Sequence, residues 1–599
     1  MKNLTIAAAL AAILTCPVTA TAQEVTFSAP NADEDLTDLL RSASLTLEID
    51  PEEGSAAQDY VAAARADYRR ILTALYADGY YGGTISIKID GREAASLAPL
   101  DAPSRVNRIT IDVATGPRFT FGRTDIAPLA PATTLPEGFR SGEPAQSEVI
   151  RSSVSAATSA WRDAGYAKVS PSGQQITARH PAERLDVSVS LATGPRLTFG
   201  PLTVSGNEDV RTNRILRIAG LPTGEIYSPD AIARAEDRLR RTGAFASVAL
   251  VESDDIGPNN TLPVTAQIVE AKPRRIGAGI ELSTVDGLTL SSFWLHRNFL
   301  GGAERFRVEG EISGIGGETG GTDYRLSASL RRPAVWGADT DFLNTISISR
   351  QDEPNYLLDQ FSLESTLTRP VGDNLTIEGG LGILAAREVT DTGERDYVLL
   401  TVPLSATYDL RDNATNPKNG YYLDLDATPF ISIVGGDNGA RAYADGRIYR
   451  SFGEDDRFTL AARSQIGTVL GASLDTAPAD FLYFSGGSNT VRGQRFQSLG
   501  VDRVIDGEDV RTGGLSFVGA QLEGRVDVTE SIGLVGFYDT GFVGDTSNPF
   551  GDGEWQSGAG FGVRYNTGIG PIRLDIATPA SGDNAYDRVE VYIGIGQAF

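Results

Sequence analysis

The dipeptide Pro-Arg recurs at Pro117-Arg118, Pro195-Arg196 and Pro273-Arg274, each 78 residues after the last. The first two copies lie in nearly the same string, Ala114-Thr115-Gly116-Pro117-Arg118-Phe119-Thr120-Phe121-Gly122 and Ala192-Thr193-Gly194-Pro195-Arg196-Leu197-Thr198-Phe199-Gly200. A fixed period of this length marks tandem copies of one small unit. The third copy opens a different region, made of short segments in which apolar and polar residues alternate as far as Phe599. The period therefore divides the chain into a repeated arm and an alternating-strand half.

A second landmark near the end of a helix runs through the repeats: Asp78-Gly79-Tyr80-Tyr81, Asp163-Ala164-Gly165-Tyr166 and Thr242-Gly243-Ala244-Phe245. In the third unit Ser228 and Pro229 suit a helix start, and Ile232, Ala235 and Leu239 form one apolar stripe. Gly243 suits the left-handed turn that ends the helix before strands Phe245–Val251 and Leu262–Val269. Each unit reads strand, helix, helix, strand, strand.

From Arg274 onward sixteen segments alternate. The eighth is Tyr397–Leu410, the fourteenth Trp555–Asn566 and the last Arg588–Phe599. In the fourteenth, Trp555, Ser557, Ala559, Phe561, Val563 and Tyr565 share one face. In the last, Val589, Val591, Ile593, Ile595 and Phe599 do. An even strand count, tight turns on one side and long acidic loops on the other describe an antiparallel barrel in a membrane. A soluble sandwich alternates too, and parity alone does not say which row faces out. The longest connection, Ala472–Gly514, carries no strand pattern of its own, and a loop of that length is rarely idle.

Met1 to Ala22 reads as a signal peptide, with Lys2, the apolar run Leu4–Leu14 and Ala20-Thr21-Ala22 before the cut. The one cysteine, Cys16, falls within it, so the exported chain uses no disulfide or thiol chemistry. A net charge of −25 argues against nucleic acid as a partner. His180 and His296 have no ligand spacing, and no nucleophile–base pair or phosphate loop stands out, so neither enzyme nor cofactor is expected.

The long loop holds Val491-Arg492-Gly493. His296-Arg297-Asn298-Phe299-Leu300-Gly301-Gly302, Arg411-Asp412-Asn413 and Gly568-Ile569-Gly570-Pro571-Ile572-Arg573-Leu574-Asp575 follow the order of one family, as does Tyr592-Ile593-Gly594-Ile595-Gly596 ahead of Phe599. On these motifs the chain resembles the BamA/TamA-like outer-membrane insertase and translocase superfamily, and within it the three-unit translocation and assembly module branch. Gln494 stands where the family has an aromatic, with Phe496 the nearest ring.

The resemblance implies three βααββ repeats of the POTRA type and a 16-stranded outer-membrane β-barrel. The divisions are a signal peptide at 1–22, repeats at 23–116, 117–194 and 195–272, and a barrel at 273–599. It implies an inward loop bearing Arg492 that meets lumen partners Glu523, Asp539, Arg573 and Asp575. Tyr592, Gly594 and Phe599 would form the C-terminal signal read by barrel-assembly machinery. The seam would pair Gly277 and Gly279 with Gly594 and Gly596, glycines that weaken a strand. The implied partners are client outer-membrane proteins, autotransporters above all, outer-membrane lipid, and a TamB-like protein anchored in the inner membrane. The alternatives are a passive or two-partner secretion channel and a part of a lipid conduit. The expected place is the outer membrane, with the arm in the periplasm.

Overall fold

The computed structural model describes residues 24–49, 56–98, 103, 105–283, 287–317, 320–390, 393–505, 507–568, 570–582 and 585–599. The signal peptide, Cys16 and Ile569 lie outside the described residues.

The first repeat packs helices Glu34–Ser42, Leu45–Glu48 and Ala57–Ala77 on a sheet of Glu24–Ser28, Arg108–Ala114, Thr84–Ile89 and Arg92–Glu93, in that order. Its core is Leu40, Ile71, Leu75, Ile87, Ile109 and Ile111. Buried Asp67 accepts from Ser44 Oγ at 2.6 Å and from the Leu45 and Thr46 amides, filling the donors at the start of the short helix.

The second repeat carries Thr120–Ala127, Ser147–Asp163, Ser170–Arg179 and Arg184–Ala192, with the last strand central. It has one helix where the sequence suggested two. Residues 128–144 hold Pro128, Pro131, Pro136, Pro144, Gly138 and Gly142, which remove donors and favour turns, so the first helix of the pair is a loop. The third repeat keeps both helices, Thr212–Ala219 and Pro229–Arg241. Its strands Phe245–Glu252 and Thr261–Glu270 pair antiparallel.

The 78-residue period has a physical cause. Arg118 Nε donates to the carbonyl of Asp78 at 2.9 Å, and Arg196 Nε donates to that of Ala164 at 3.0 Å. Each guanidinium fills an orphan carbonyl at the C-terminal end of the preceding unit's helix, where the dipole favours a cation. Gly79 and Gly165, at φ +90 and +99, end those helices, and their carbonyls accept from Phe119 and Leu197 of the following unit, each at 2.9 Å.

The remaining chain closes into a barrel. Its strands are β1 Arg274–Ser283, β2 Gly287–His296, β3 Arg305–Ile315, β4 Asp323–Arg332, β5 Asp341–Glu353, β6 Tyr356–Val371 and β7 Leu375–Thr390. Next come β8, in two pieces Gly393–Thr401 and Leu404–Asp409, then β9 Gly420–Val434, β10 Gly439–Phe452 and β11 Phe458–Leu470. The last are β12 Ser516–Asp527, β13 Ile532–Gly544, β14 Gly553–Tyr565, β15 Ile572–Pro579 and β16 Glu590–Ile595. The break in β8 falls at Val402-Pro403, where proline has no amide for the ladder. Both pieces still pair with β7 and β9.

The structure settles which row faces out. Leu534, Val563, Leu574 and Ile593 are aligned across β13 to β16, and all four are exposed. The adjacent row Val535, Asp575 and Tyr592 is buried. An apolar row on the outside and a polar, packed inside is the pattern of a barrel in lipid, and the reverse of a sandwich. Phe599 departs from its expected row. The chain leaves β16 at Gly596, φ +91, and Phe599 is buried against Tyr449 and Ala461. Gln597 drives this bend, because its polar groups find Thr415, Asn416 and Arg564 inside.

The third repeat is fastened to the barrel. Arg238 holds Asp339, in the β4–β5 turn, through Nε at 2.7 Å and Nη2 at 2.6 Å. The Arg211 amide donates to the Gly301 carbonyl at 3.0 Å. We expect Asp339→Asn to remove about 1–3 kcal/mol and to speed amide exchange in helix Pro229–Arg241 while β9 to β11 stay as protected as before, measured by hydrogen–deuterium exchange.

Candidate functional site

The connection between β11 and β12 folds back into the lumen. It is less formless than its composition suggests, since Val501–Ile505 pairs with Glu508–Thr512 in a hairpin. The signal was in the sequence, because Asp-Gly between alternating residues, as at 506–507, favours a two-residue hairpin connection.

At the loop apex Arg492 is 1% exposed. Its Nε and Nη2 grip Asp539 of β13 at 2.7 and 2.8 Å, and its own amide donates to the same carboxylate at 3.1 Å. Nη1 donates to Glu523 of β12 at 2.7 Å and to Asp575 of β15 at 3.4 Å. The guanidinium plane rests on the Phe537 ring, Cζ to centroid 3.6 Å. Glu523 also takes Arg525 at 2.7 Å, and Asp575 also takes Arg564. Three carboxylates thus meet three guanidinium groups. A buried charge lacking such partners costs several kcal/mol, so the loop and four strands are bound to one another through the balance.

Backbone contacts fix the apex as tightly. Gly493, at φ +89, donates its amide to Tyr592 Oη of β16 at 3.0 Å, and any Cβ there would lie 2.5 Å from the Thr578 carbonyl. A Cβ at Gly558 would come within 1.9 Å of the Arg492 carbonyl. Gln494 is itself seated in the wall: Nε2 donates to the Ser557 carbonyl at 2.9 Å, and Oε1 accepts from Arg588 Nη2 at 3.3 Å. Phe496 stays half-buried against Gly487. The amide chemistry of Gln494 therefore does the anchoring where the family has an aromatic.

Of the residues singled out in the sequence, Arg492, Glu523, Asp539 and Asp575 meet in this cluster. Arg573 faces the lumen but joins none of the ion pairs among the described residues. Arg525, Arg564, Phe537 and Gly558 were not singled out for this site. The row Gly558, Gly560, Gly562, every second residue of β14, was the available sign that another chain segment lies close.

Among the described residues, one register pair, Ser283 with Tyr592, joins β1 to β16. On its other side β1 makes ten pairs with β2, from Arg274↔His296 to Ser283↔Gly287. Gly277 lies under the Phe293 ring, 2.4 Å from where a Cβ would be, and Gly594 lies under the Arg573 side chain. These seam glycines are flat floors for side chains of neighbouring strands, a role different from simple weakening.

A family model described as the Omp85 superfamily domain matches residues 298–599, and one described as the surface antigen variable number repeat (POTRA) matches residues 197–271. The chain is 21% identical over 435 residues to the outer membrane protein assembly factor BamA of Nitratidesulfovibrio vulgaris, covering 70% of this chain and 53% of that protein. It spans about half the length of that relative. BamA from Haemophilus ducreyi lacking POTRA domains 1–3 superposes with a TM-score of 0.63 at 15% identity, covering 80% of this chain and 98% of that one. CdiB from Acinetobacter baumannii gives 0.49 at 12% identity, covering 80% and 89%.

We expect Arg492→Ala to leave three carboxylates facing two guanidinium groups and to remove about 3–5 kcal/mol of loop anchoring. The barrel should still fold, as judged by heat-modifiable migration on gels, while limited proteolysis cuts within residues 472–514. Arg492→Lys should restore little, because one ammonium cannot span Asp539 and Glu523 together.

Proposed function

This chain belongs to the Omp85 superfamily, and from that premise we propose that it assembles or secretes client β-barrel proteins through the seam between β1 and β16. The observation that carries this reading is the edge of β1 over Arg274–Leu282, which is joined to β16 among the described residues only at Ser283↔Tyr592. Residues Arg274–Leu282 of β1 pair with β2 on one side, and among the described residues they have no ladder partner across the seam. A ladder hydrogen bond is worth about 1 kcal/mol net, so a nine-residue stretch without such bonds resists parting far less than the long ladders elsewhere in the wall. Nine residues of unpaired edge form a template for an extended client strand, which adds by β-augmentation. Ile276 and Ile280, both 78% exposed, give that edge an outward apolar row that suits a strand moving into lipid.

The finer reading follows the three repeats. They liken the chain to the translocation and assembly module protein TamA, with autotransporters as clients. The free edges of the arm sheets would receive those clients or a TamB-like partner in the periplasm. In this reading the barrel spans the outer membrane. A steadily open pore is the poorer reading, because the loop and its ion cluster occupy the lumen between β12, β13 and β15.

Extending the register from Ser283↔Tyr592 would bring Ile280 opposite Ile595, and both are exposed on the outer face. With Ile280→Cys and Ile595→Cys in one chain, oxidation should join β1 to β16 and stop client insertion, and reductant should restore it. Full insertion by the oxidised protein would refute the seam.

A further inference from the structure

The lumen cluster balances three carboxylates with Arg492, Arg525 and Arg564, and one further arginine stands beside it without an acid. Arg573 is half-buried, its Nε is buried with no hydrogen-bond partner, and among the described residues its guanidinium forms no ion pair. Buried polar groups almost always have a partner, and an unpaired guanidinium is among the costliest exceptions. Such a group points to an anion that binds there.

The geometry says where that anion comes from. Arg573 of β15 is in register with Gly594 of β16, and its side chain lies across that glycine. A Cβ at Gly594 would be 3.0 Å from Arg573 Nε and 3.6 Å from Cζ. The guanidinium therefore overlies the last strand, on the face where Tyr592 is buried and close to the seam. Any side chain at Gly594 would displace it.

Whatever strand lies beside β16 presents one residue opposite Gly594. Continuing the ladder two residues from Ser283↔Tyr592 makes that residue Glu281 of β1. The register position opposite Gly594 is thus a glutamate in this chain's own first strand. A client strand that displaces β1 inherits the position and its charge requirement.

We propose that Arg573 is a carboxylate-reading residue of the seam, selecting client strands that carry Asp or Glu at the register position opposite Gly594. The inference rests on the seam reading above and adds a specificity to it. Arg573 acts by a charge-assisted hydrogen bond to the client, and fixes which residue of the strand stands opposite Gly594.

The test uses the full chain in lipid nanodiscs and two synthetic strand peptides of about ten residues with alternating apolar and polar positions. They differ only in Glu or Gln at one inward position, and both carry a photo-reactive group. The native protein should capture the Glu peptide at β1 or β16 at least about tenfold more tightly than the Gln peptide. Arg573→Gln should abolish the preference while leaving the folded barrel's gel migration unchanged. Arg573→Glu should transfer the preference to a Lys peptide. Equal capture of the Glu and Gln peptides by the native protein overturns this proposal and leaves the seam standing. Capture of neither peptide overturns both.

Discussion

A guanidinium withdrawn from water needs its charge cancelled where it stands, and Arg492 meets that need with Asp539, Glu523 and Asp575 on three different strands. Because the arginine sits at the tip of a long loop, the same contacts that neutralise it also draw the loop into the lumen. Arg525 and Arg564 complete the balance. They also reach the last residues of the chain, through the Phe599 carbonyl and Gln597 Oε1. Loop, wall and chain end are parts of one electrostatic unit.

That unit borders the weakest line in the wall. Tyr592, which pairs with Ser283 of β1, also accepts a hydrogen bond from Gly493 at the loop apex. The last strand is thereby held from inside by the loop. Strand edges left unpaired are a hazard that most proteins cover. Here the described edge of β1 over Arg274–Leu282 has no second ladder while the loop packs the lumen, and this supports the proposed lateral exchange of a strand.

Much of this could be read from the chain. The 78-residue period located the repeats, and its cause is the Pro-Arg guanidinium on the preceding helix end. Alternation located the barrel strands, and the family motifs brought Arg492, Glu523, Asp539 and Asp575 together. What escaped depended on contacts that sequence spacing does not encode. Prolines and glycines at 128–144 outweighed the repeat pattern and removed a helix. Pro403 split β8 although the alternation runs through it. Phe599 continues the apolar parity of β16 yet turns inward, because Gly596 permits the bend and Gln597 is drawn to polar partners. Gly594 looked like a point of weakness and is the floor beneath Arg573. The first two departures come from residues within the segment itself, and the last two from partners remote in sequence.

The central claim is that the edge of β1 receives a client strand. Placing a photo-crosslinking amino acid at Ile276, in cells that make the protein at its natural level, addresses it most directly. Adducts between position 276 and the strands of unfinished outer-membrane barrel proteins, lost when those proteins complete assembly, are the predicted result. Adducts with lipid alone, or with β16 alone at every stage, would contradict the account.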